Sequence, residues 1–407
     1  MNWEPISSGY EHYLRDESPL QGHARMICFP ESPEEAAQAM AEAWSQGKTL
    51  TIQGGNTGLR GGAVPLGGWV MNLSRLTSIG PVRPQSDGTA RITAGAGVTL
   101  QALQQKCGAE GYRFAPNPTE DTATLGGLFA TDGEGPDCLA FGKTADHVTG
   151  VEWISPQGTV KRITGPGIRQ LAGTEGGCGA AAELELRLLP KAGDLWGIVF
   201  FFREENQAIA LGKALECWRK DQKNAVLTTA EFYNRGTLEL LDQGRANPLL
   251  QRIPAFPLDG DCAVYVELEG KTQEATIEAL TELLDLNQAC GGREQDSWAE
   301  NGVDGVEKFR NLRHAIVSIL SQQGLPEGDF SGAPEQFPEF LQAFRAIAGA
   351  DQPVLYGHLL GCSFAAAADE SVLTEFARFV RRSGGSLGTL YGRGKSDKPW
   401  MRNDEDL

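Results

Sequence analysis

The sequence predicts an α+β chain of more than one domain, and three observations carry that expectation. Short β-type runs alternate with short helices through the first 190 or so residues, and the run LWGIVFFF from Leu195 to Phe202 opens a second β-α-β-α succession. Between these runs sit 51 glycines in 407 residues, about one in eight against an ordinary share near 7%. At roughly 150 residues per domain the length suits two or three domains. The expected boundaries are 1–192, 193–382 and a C-terminal tail at 383–407.

The first element is a helix from Ser32 to Gly47. Ser32 and Glu35 form an S-x-x-E capping box, Pro33 takes the first helical position, Gly47 stops the helix, and Ala37, Met40, Ala41 and Trp44 form its expected apolar face. A β-run over Lys48–Gln53 leads into GGNTGLRGG at Gly54–Gly62. Further strands are expected at Gly68–Leu73, Ala90–Ala94, Val148–Ile154, Thr159–Ile163 and Ala182–Leu188, with a helix near Thr99–Gly108. In the second half the pattern predicts a helix at Glu205–Arg219, a strand at Asp261–Glu269, and a helix at Thr272–Ala289 with Ile277, Leu280, Leu283 and Leu284 on one stripe. A loop-rich stretch at 291–337 surrounds a helix at Val306–Gln322. A strand at Val354–His358 and a helix at Ser371–Ser383 precede the glycine-studded GRGKSDKPWMRNDEDL.

Composition narrows the partners. There are 36 Lys and Arg against 53 Asp and Glu, a net charge of −17, which repels phosphate backbones and anionic leaflets at long range, so no nucleic acid is expected. The apolar runs fall well short of the roughly 20 residues that a membrane span needs. The start MNWEPISSGYEHYLRDESPL lacks a basic n-region and an apolar core, and the expectation is a cytoplasmic protein. Eight cysteines without a CxxC pair and five scattered histidines give no iron–sulfur, zinc-ribbon or HExxH spacing.

The string GGNTGLRGG is the first candidate site. Gly54, Gly55, Gly58, Gly61 and Gly62 let successive N–H groups point into one concavity that suits an anion, with Asn56 and Thr57 as side-chain donors and Arg60 as a nearby positive charge. A glycine-rich hairpin or Ω-loop without a ligand fits the same string. The P-loop pattern GxxxxGK[ST] is absent, and a strand rather than a helix follows, which sets aside the Rossmann fingerprint. Three further segments have related character: GAGVTLQAL at Gly95–Leu103, PNPTEDTATLGGLFATDGEG at Pro116–Gly135, and GTEGGCGAAAELELRLLP at Gly173–Pro190.

Together, GGNTGLRGGAVPLGGWVMNLSRL, PNPTEDTATLGGLFAT, FGKTADHVTGVEWISPQGTV and GTEGGCGAAAELELRLLP resemble the FAD-binding domain of the D-lactate, glycolate and D-2-hydroxyglutarate dehydrogenases. That family has the vanillyl-alcohol-oxidase-type fold. The resemblance covers residues 25–190 most strongly and runs more faintly through the remainder. It implies a two-subdomain FAD-binding domain, an α+β cap or substrate domain, and a tail that returns toward the flavin site. It also implies that Gly54 to Gly62, including Leu59, wrap the FAD diphosphate. Pro118, Thr119, Thr122, Thr124, Gly126, Gly127, Thr131 and Asp132 would line the flavin, with backbone at Gly179 and Ala180 alongside. Relatives that bind flavin covalently use a histidine in the first loop; Asn56 stands in that stretch here, so noncovalent FAD is expected. Asp132-Gly133-Glu134 replaces a common Asn-Ala-Gly. Beside the flavin, Asp132 would lower its reduction potential; otherwise the side chain faces solvent.

The family's metal and base motifs are altered. Its GHLGDGNxH segment reads GHLLGCSFA, which keeps His358 and puts Ala365 at the second histidine; its EHG turn reads LYG, with Leu390 and Tyr391 in place of glutamate and histidine. One histidine falls short of the usual three protein ligands, so no metal is expected. Tyr391 reads as a hydrogen-bond donor, with Arg393, Lys395 and Lys398 as neighbouring charges or as a solvated basic turn. Arg313 matches the arginine that relatives aim at a substrate carboxylate, and Arg310, Arg313 and His314 would present one positive helix face.

The expected activity is hydride transfer from a small 2-hydroxy carboxylate to FAD, with Arg313, His358 and Tyr391 as catalytic candidates. Electrons would pass onward to an iron–sulfur or other electron-transfer subunit, since no cysteine cluster is present to carry them. The alternative is an FAD-binding accessory subunit of a glycolate or lactate dehydrogenase complex that does not turn over substrate alone.

Overall fold

A computed structural model describes residues 2–118, 120–349, 353–388, 392, 394 and 395, and these divide into two compact units. The first comprises the described residues of 2–135 and 141–191 with Gly392, Gly394 and Lys395; the second comprises the described residues of 136–140 and 192–388.

The described residues of the first unit form two sheets. The four-stranded sheet runs in the order Glu4–Pro5, Met26–Cys28, Trp69–Asn72, Leu50–Gln53. Its last three strands are parallel, so the chain needs a crossover, which the helix Pro33–Ser45 supplies. Ser32 Oγ accepts from Glu35 N at 3.3 Å, while the Glu35 carboxylate accepts from Glu31 N at 2.8 Å, one residue before the cap. The buried face is Ala36, Ala37, Ala39, Met40 and Ala43, and Trp44 is 57% exposed. This corrects the expected stripe: three alanines and Met40 lie in one core cluster with Met71, Ile154, Ala180 and Ala182, and small side chains let the helix lie close to that cluster.

The second sheet has six strands, antiparallel throughout: Arg83–Pro84, Ala90–Gly95, Ala180–Pro190, Val148–Ile154 and Val160–Thr164 in that order, with Tyr112–Arg113 pairing the end of Ala180–Pro190. Its core gathers Ile92, Leu103, Phe114, Phe129, Val151, Trp153, Leu184 and Leu186.

The second unit is built on an eight-stranded sheet in the order Trp298–Asn301, Asp194–Phe202, Cys262–Gly270, Ala225–Asn234, Val354–His358, Ser363–Ala367, Glu327–Ser331, Ser386–Leu387. Alternation along each strand splits the residues between two faces. Phe200, Phe202, Phe232, Val264, Val266, Leu355, Phe364 and Phe330 point to one face, where the helices Glu205–Asp221, Gln273–Ala289, Phe337–Ala348 and Glu370–Arg382 cover them in one core. The helix Gln273–Ala289 buries Thr276, Ala279, Leu283 and Asn287, and Ile277 is 47% exposed, so the expected leucine-rich stripe is rotated. Thr276 tolerates burial because its hydroxyl donates to Thr272 O at 2.9 Å. The strands Ala225–Asn234, Glu327–Ser331 and Ser363–Ala367 and the helix Phe337–Ala348 were not among the expected elements.

Candidate functional site

In the first unit the four glycine-bearing segments meet. Leu125 N donates to Val98 O at 2.8 Å, Gly126 N to Ala96 O at 2.8 Å, and Ala96 N to Ala182 O at 2.9 Å, which ties the second, third and fourth segments together. Glu175 N donates to Ala130 O at 2.9 Å and Gly173 N to Phe129 O at 3.1 Å, so the fourth also holds the helix Leu125–Thr131. The first loop joins through Gly54: a β-carbon there would lie 2.1 Å from Thr124 Oγ1, so glycine leaves room for the threonine side chain to lie against the loop. At Gly179, with φ +140°, a β-carbon would meet Ile154 O at 2.3 Å.

The loop Gly54–Gly62 is anchored at its base. Gln53, buried, donates from its side-chain amide to Tyr13 O and Ala63 O, both at 2.7 Å, and Asn72 Nδ2 donates to Gly54 O at 3.1 Å. Three non-glycine residues around the loop take left-handed backbone: Asn56 at φ +58°, Asp132 at +49° and Glu175 at +49°. Such conformations cost on the order of 1–3 kcal/mol each, and they gather where the surroundings over-determine a functional geometry. Asn56 Oδ1 is a buried oxygen with no hydrogen-bond partner among the described residues. Clustered glycine turns fit a dinucleotide, whose diphosphate takes main-chain donors and whose flavin ring needs small neighbours, and the Asn56 oxygen, an acceptor, suits an N–H or O–H of such a ligand.

The other residues expected to line the flavin serve local structure as well. Thr124 Oγ1 caps the helix Leu125–Thr131 by accepting from Gly127 N at 3.4 Å, Thr131 Oγ1 donates to Gly127 O at 3.0 Å, and the Thr122 hydroxyl donates to Glu120. Asp132 Oδ1 accepts from Ala145 N at 2.9 Å, a bond neither expectation for this side chain included. Arg60 is 4% exposed. Gly55, Thr57, Gly58, Leu59, Gly61, Gly62, Pro118 and Ala180 lie within this unit; Thr119 is outside the described residues.

In the second unit the sheet face opposite the phenylalanines carries charge. Cross-strand register sets Tyr265, Glu231, His358 and Ser363 in one row, Glu231 opposite both Tyr265 and His358, and His358 opposite Ser363. The helix Gly302–Gln323 lies on this face. Arg313 pairs with Glu231, and Arg310 Nε donates to Glu267 at 2.8 Å while its Nη2 donates to Asp137 at 2.7 Å. Tyr233 donates to Glu231 at 2.8 Å, Tyr265 to Glu267 at 2.6 Å, and His358 Nδ1 lies 3.7 Å from Glu231 Oε1. Glu231, Glu267, Arg313 and His358 are all buried.

The electrostatics follow from this pairing. Burial pushes the Glu231 carboxyl upward, but Arg313, His358 and the Tyr233 hydroxyl together hold it below its ordinary value. Burial raises the Tyr233 and Tyr265 phenols, and the neighbouring carboxylates raise them further. Burial disfavours the Arg310 cation, yet Glu267 and Asp137 keep it firmly charged. The expected positive face of Arg310 and Arg313 is therefore corrected: both guanidinium groups are matched by buried carboxylates.

Ala365, at the family's second histidine, pairs with Asp329 and Tyr356, and among the described residues no three His, Cys, Asp or Glu side chains converge as metal ligands. The described residues thus do not fit a three-ligand metal centre. Leu390, Tyr391, Arg393 and Lys398 are outside the described residues. Glu231 is the residue that sequence reasoning missed; an acid in the middle of the apolar run AVLTTAEFYN was the available signal.

Comparisons with known proteins bear on the family and its cofactor. A family model described as an FAD binding domain matches residues 24–164. The D-lactate dehydrogenase of Archaeoglobus fulgidus is 30% identical over 314 residues, 74% of this chain and 67% of that protein. The D-2-hydroxyglutarate dehydrogenase of Stutzerimonas stutzeri is 26% identical over 82% of this chain and 72% of its own length. The glycolate oxidase subunit GlcD of Escherichia coli is 25% identical over 60% of this chain and 48% of its own length. Among solved structures, an alkyldihydroxyacetonephosphate synthase matches with a TM-score of 0.69 at 15% identity, over 95% of this chain and 77% of that one, a likeness of fold. Among the described residues no helix is long and apolar enough to cross a membrane.

Proposed function

The chain belongs to the family of FAD-dependent D-lactate and D-2-hydroxyglutarate dehydrogenases, and from that premise we propose that it oxidises a small 2-hydroxy carboxylate through residues of the second unit. FAD is the cofactor of the family; when bound it supplies the hydride acceptor. Gly54 to Gly62 would hold its diphosphate, and Gly126, Gly127, Gly179 and Ala180 would lie along its ring. Asn56 offers no nucleophile for attachment, so the flavin is held noncovalently. Acid precipitation is expected to release the yellow colour to the supernatant, and a yellow pellet would contradict this.

The observation that carries the substrate reading is the buried Arg313–Glu231–His358 array. Arg313 offers a guanidinium fork to the substrate carboxylate, with Glu231 fixing its orientation. His358 takes the hydroxyl proton at Nε2, and Glu231 beside Nδ1 stabilises the imidazolium that results. Glu231 is therefore a positioning residue for both. Tyr391 is proposed as a hydrogen-bond donor to the same substrate. Electrons pass to an external acceptor, an iron–sulfur or other electron-transfer subunit, and the location is cytoplasmic.

Anaerobic mixing of the purified chain with D-lactate, glycolate and D-2-hydroxyglutarate tests the proposal. Bleaching of the flavin absorbance by one of them is the expected result, lost in Arg313→Ala. Absence of bleaching in the isolated chain, with bleaching in a reconstituted complex, would replace it with the accessory-subunit reading.

A further inference from the structure

We propose that Gly394 and Lys395 form a strap behind the first glycine loop, and that Lys395 positions this loop for the FAD diphosphate. The inference rests on the FAD assignment and adds a residue to it. A loop that turns its N–H groups toward an anion turns carbonyls the other way, and buried carbonyls need donors of their own. Lys395 supplies two: its backbone N donates to Arg60 O at 3.0 Å, and its ammonium Nζ donates to Val64 O at 2.8 Å. Val64 is fully buried, so its carbonyl has little access to water as an alternative. One residue earlier, Gly394 N donates to Glu175 Oε2 at 2.9 Å, linking the strap to the fourth glycine segment.

The fit is close enough to dictate the residue types. Gly394 has φ +65°, and a β-carbon there would stand 1.9 Å from Arg60 O. The charge of Lys395 has a second effect. The Asp16 carboxylate approaches Gly58, with Oδ2 3.4 Å from where a β-carbon would sit, and Glu175 Oε2 stands at the same distance from the corresponding point on Gly62. Two carboxylates beside a loop meant for a diphosphate would oppose binding. Both carboxylates favour the Lys395 ammonium, although its partial burial outweighs them and leaves its pKa below the ordinary value. Lys395 is thus a half-buried member of the loop's support and not part of a solvated basic turn.

The test strips the full-length chain of flavin and titrates it, by fluorescence, with FAD and with riboflavin, which lacks the diphosphate. Lys395→Met is expected to weaken FAD binding about tenfold, the size of effect typical of losing one charge-assisted hydrogen bond, with riboflavin affinity unchanged and Lys395→Arg close to the parent. Gly394→Ala, which displaces the strap with the lysine intact, should give the same selective loss and decides the matter if Lys395→Met does not fold. Unchanged FAD affinity in these variants, or equal losses for FAD and riboflavin, would overturn the proposal. A parent chain that takes up no flavin would instead remove the FAD assignment itself.

Discussion

The glycine cluster in the first unit is joined mostly through main chain, whereas the cluster in the second is made of charged side chains, and the two respond to change by different physics. Around Gly54, Gly126 and Gly179 the determining quantity is how closely neighbouring atoms crowd the glycine backbone, so the penalty is steric and nearly independent of charge. Around Glu231, Glu267, Arg310 and Arg313 the determining quantity is charge balance away from water, so removing one partner strands another.

The largest expected effect follows from that asymmetry. Arg313→Ala leaves Glu231 buried without its main counter-ion, which should destabilise the chain by about 3–5 kcal/mol. It should also lower kcat/KM for the hydroxy acid by about 100-fold or more, roughly 2.7 kcal/mol. Denaturant unfolding and steady-state kinetics measure the two, and a variant as stable and as active as the parent would break the comparison at its stronger end. Next comes Gly179→Ala, where a β-carbon meets Ile154 O at 2.3 Å on left-handed backbone. A loss of about 2–3 kcal/mol is expected, together with FAD retention, and it should not vary with salt. Thr124→Ala removes the cap on the helix Leu125–Thr131 and should cost about 1 kcal/mol by thermal unfolding.

The smallest effect is a pH dependence in the first unit. His147 is buried, and burial lowers its pKa below the ordinary 6.5 although its ring bonds to Phe141 O at 2.8 Å. The unfolded chain therefore takes up the proton first. The stability contribution is complete above about pH 6.5 and is lost as pH falls toward the folded-state value. His147→Gln should flatten this acid-side decline in Tm, and an identical slope in both proteins would remove His147 as its source.

What was legible in the sequence follows the same division. The capped helix at Pro33–Ser45, the strands Val148–Ile154 and Val354–His358 and the glycine segments are announced by local signals, namely cap residues, alternation and positions open to left-handed backbone. That four such segments meet in one place came from family resemblance and not from spacing. The charged face was illegible for a physical reason. Glu231 meets Arg313 across 82 residues and Asp137 meets Arg310 across 173, and nothing local marks either pairing. The orientation of the helices Pro33–Ser45 and Gln273–Ala289 was misread where bulk was taken as a guide to burial, since close approach in the structure favours Ala36, Ala39 and Ala279 over Trp44 and Ile277.

The bond between Lys395 and Val64 spans 331 residues, and a ribosome releases the earlier partner long before the later one. At about 5–20 residues per second, roughly 17–66 seconds of synthesis separate the two. On the strap proposal, the nascent glycine loop lacks its rear support until Lys395 emerges, so firm FAD loading would wait for that residue to leave the ribosome.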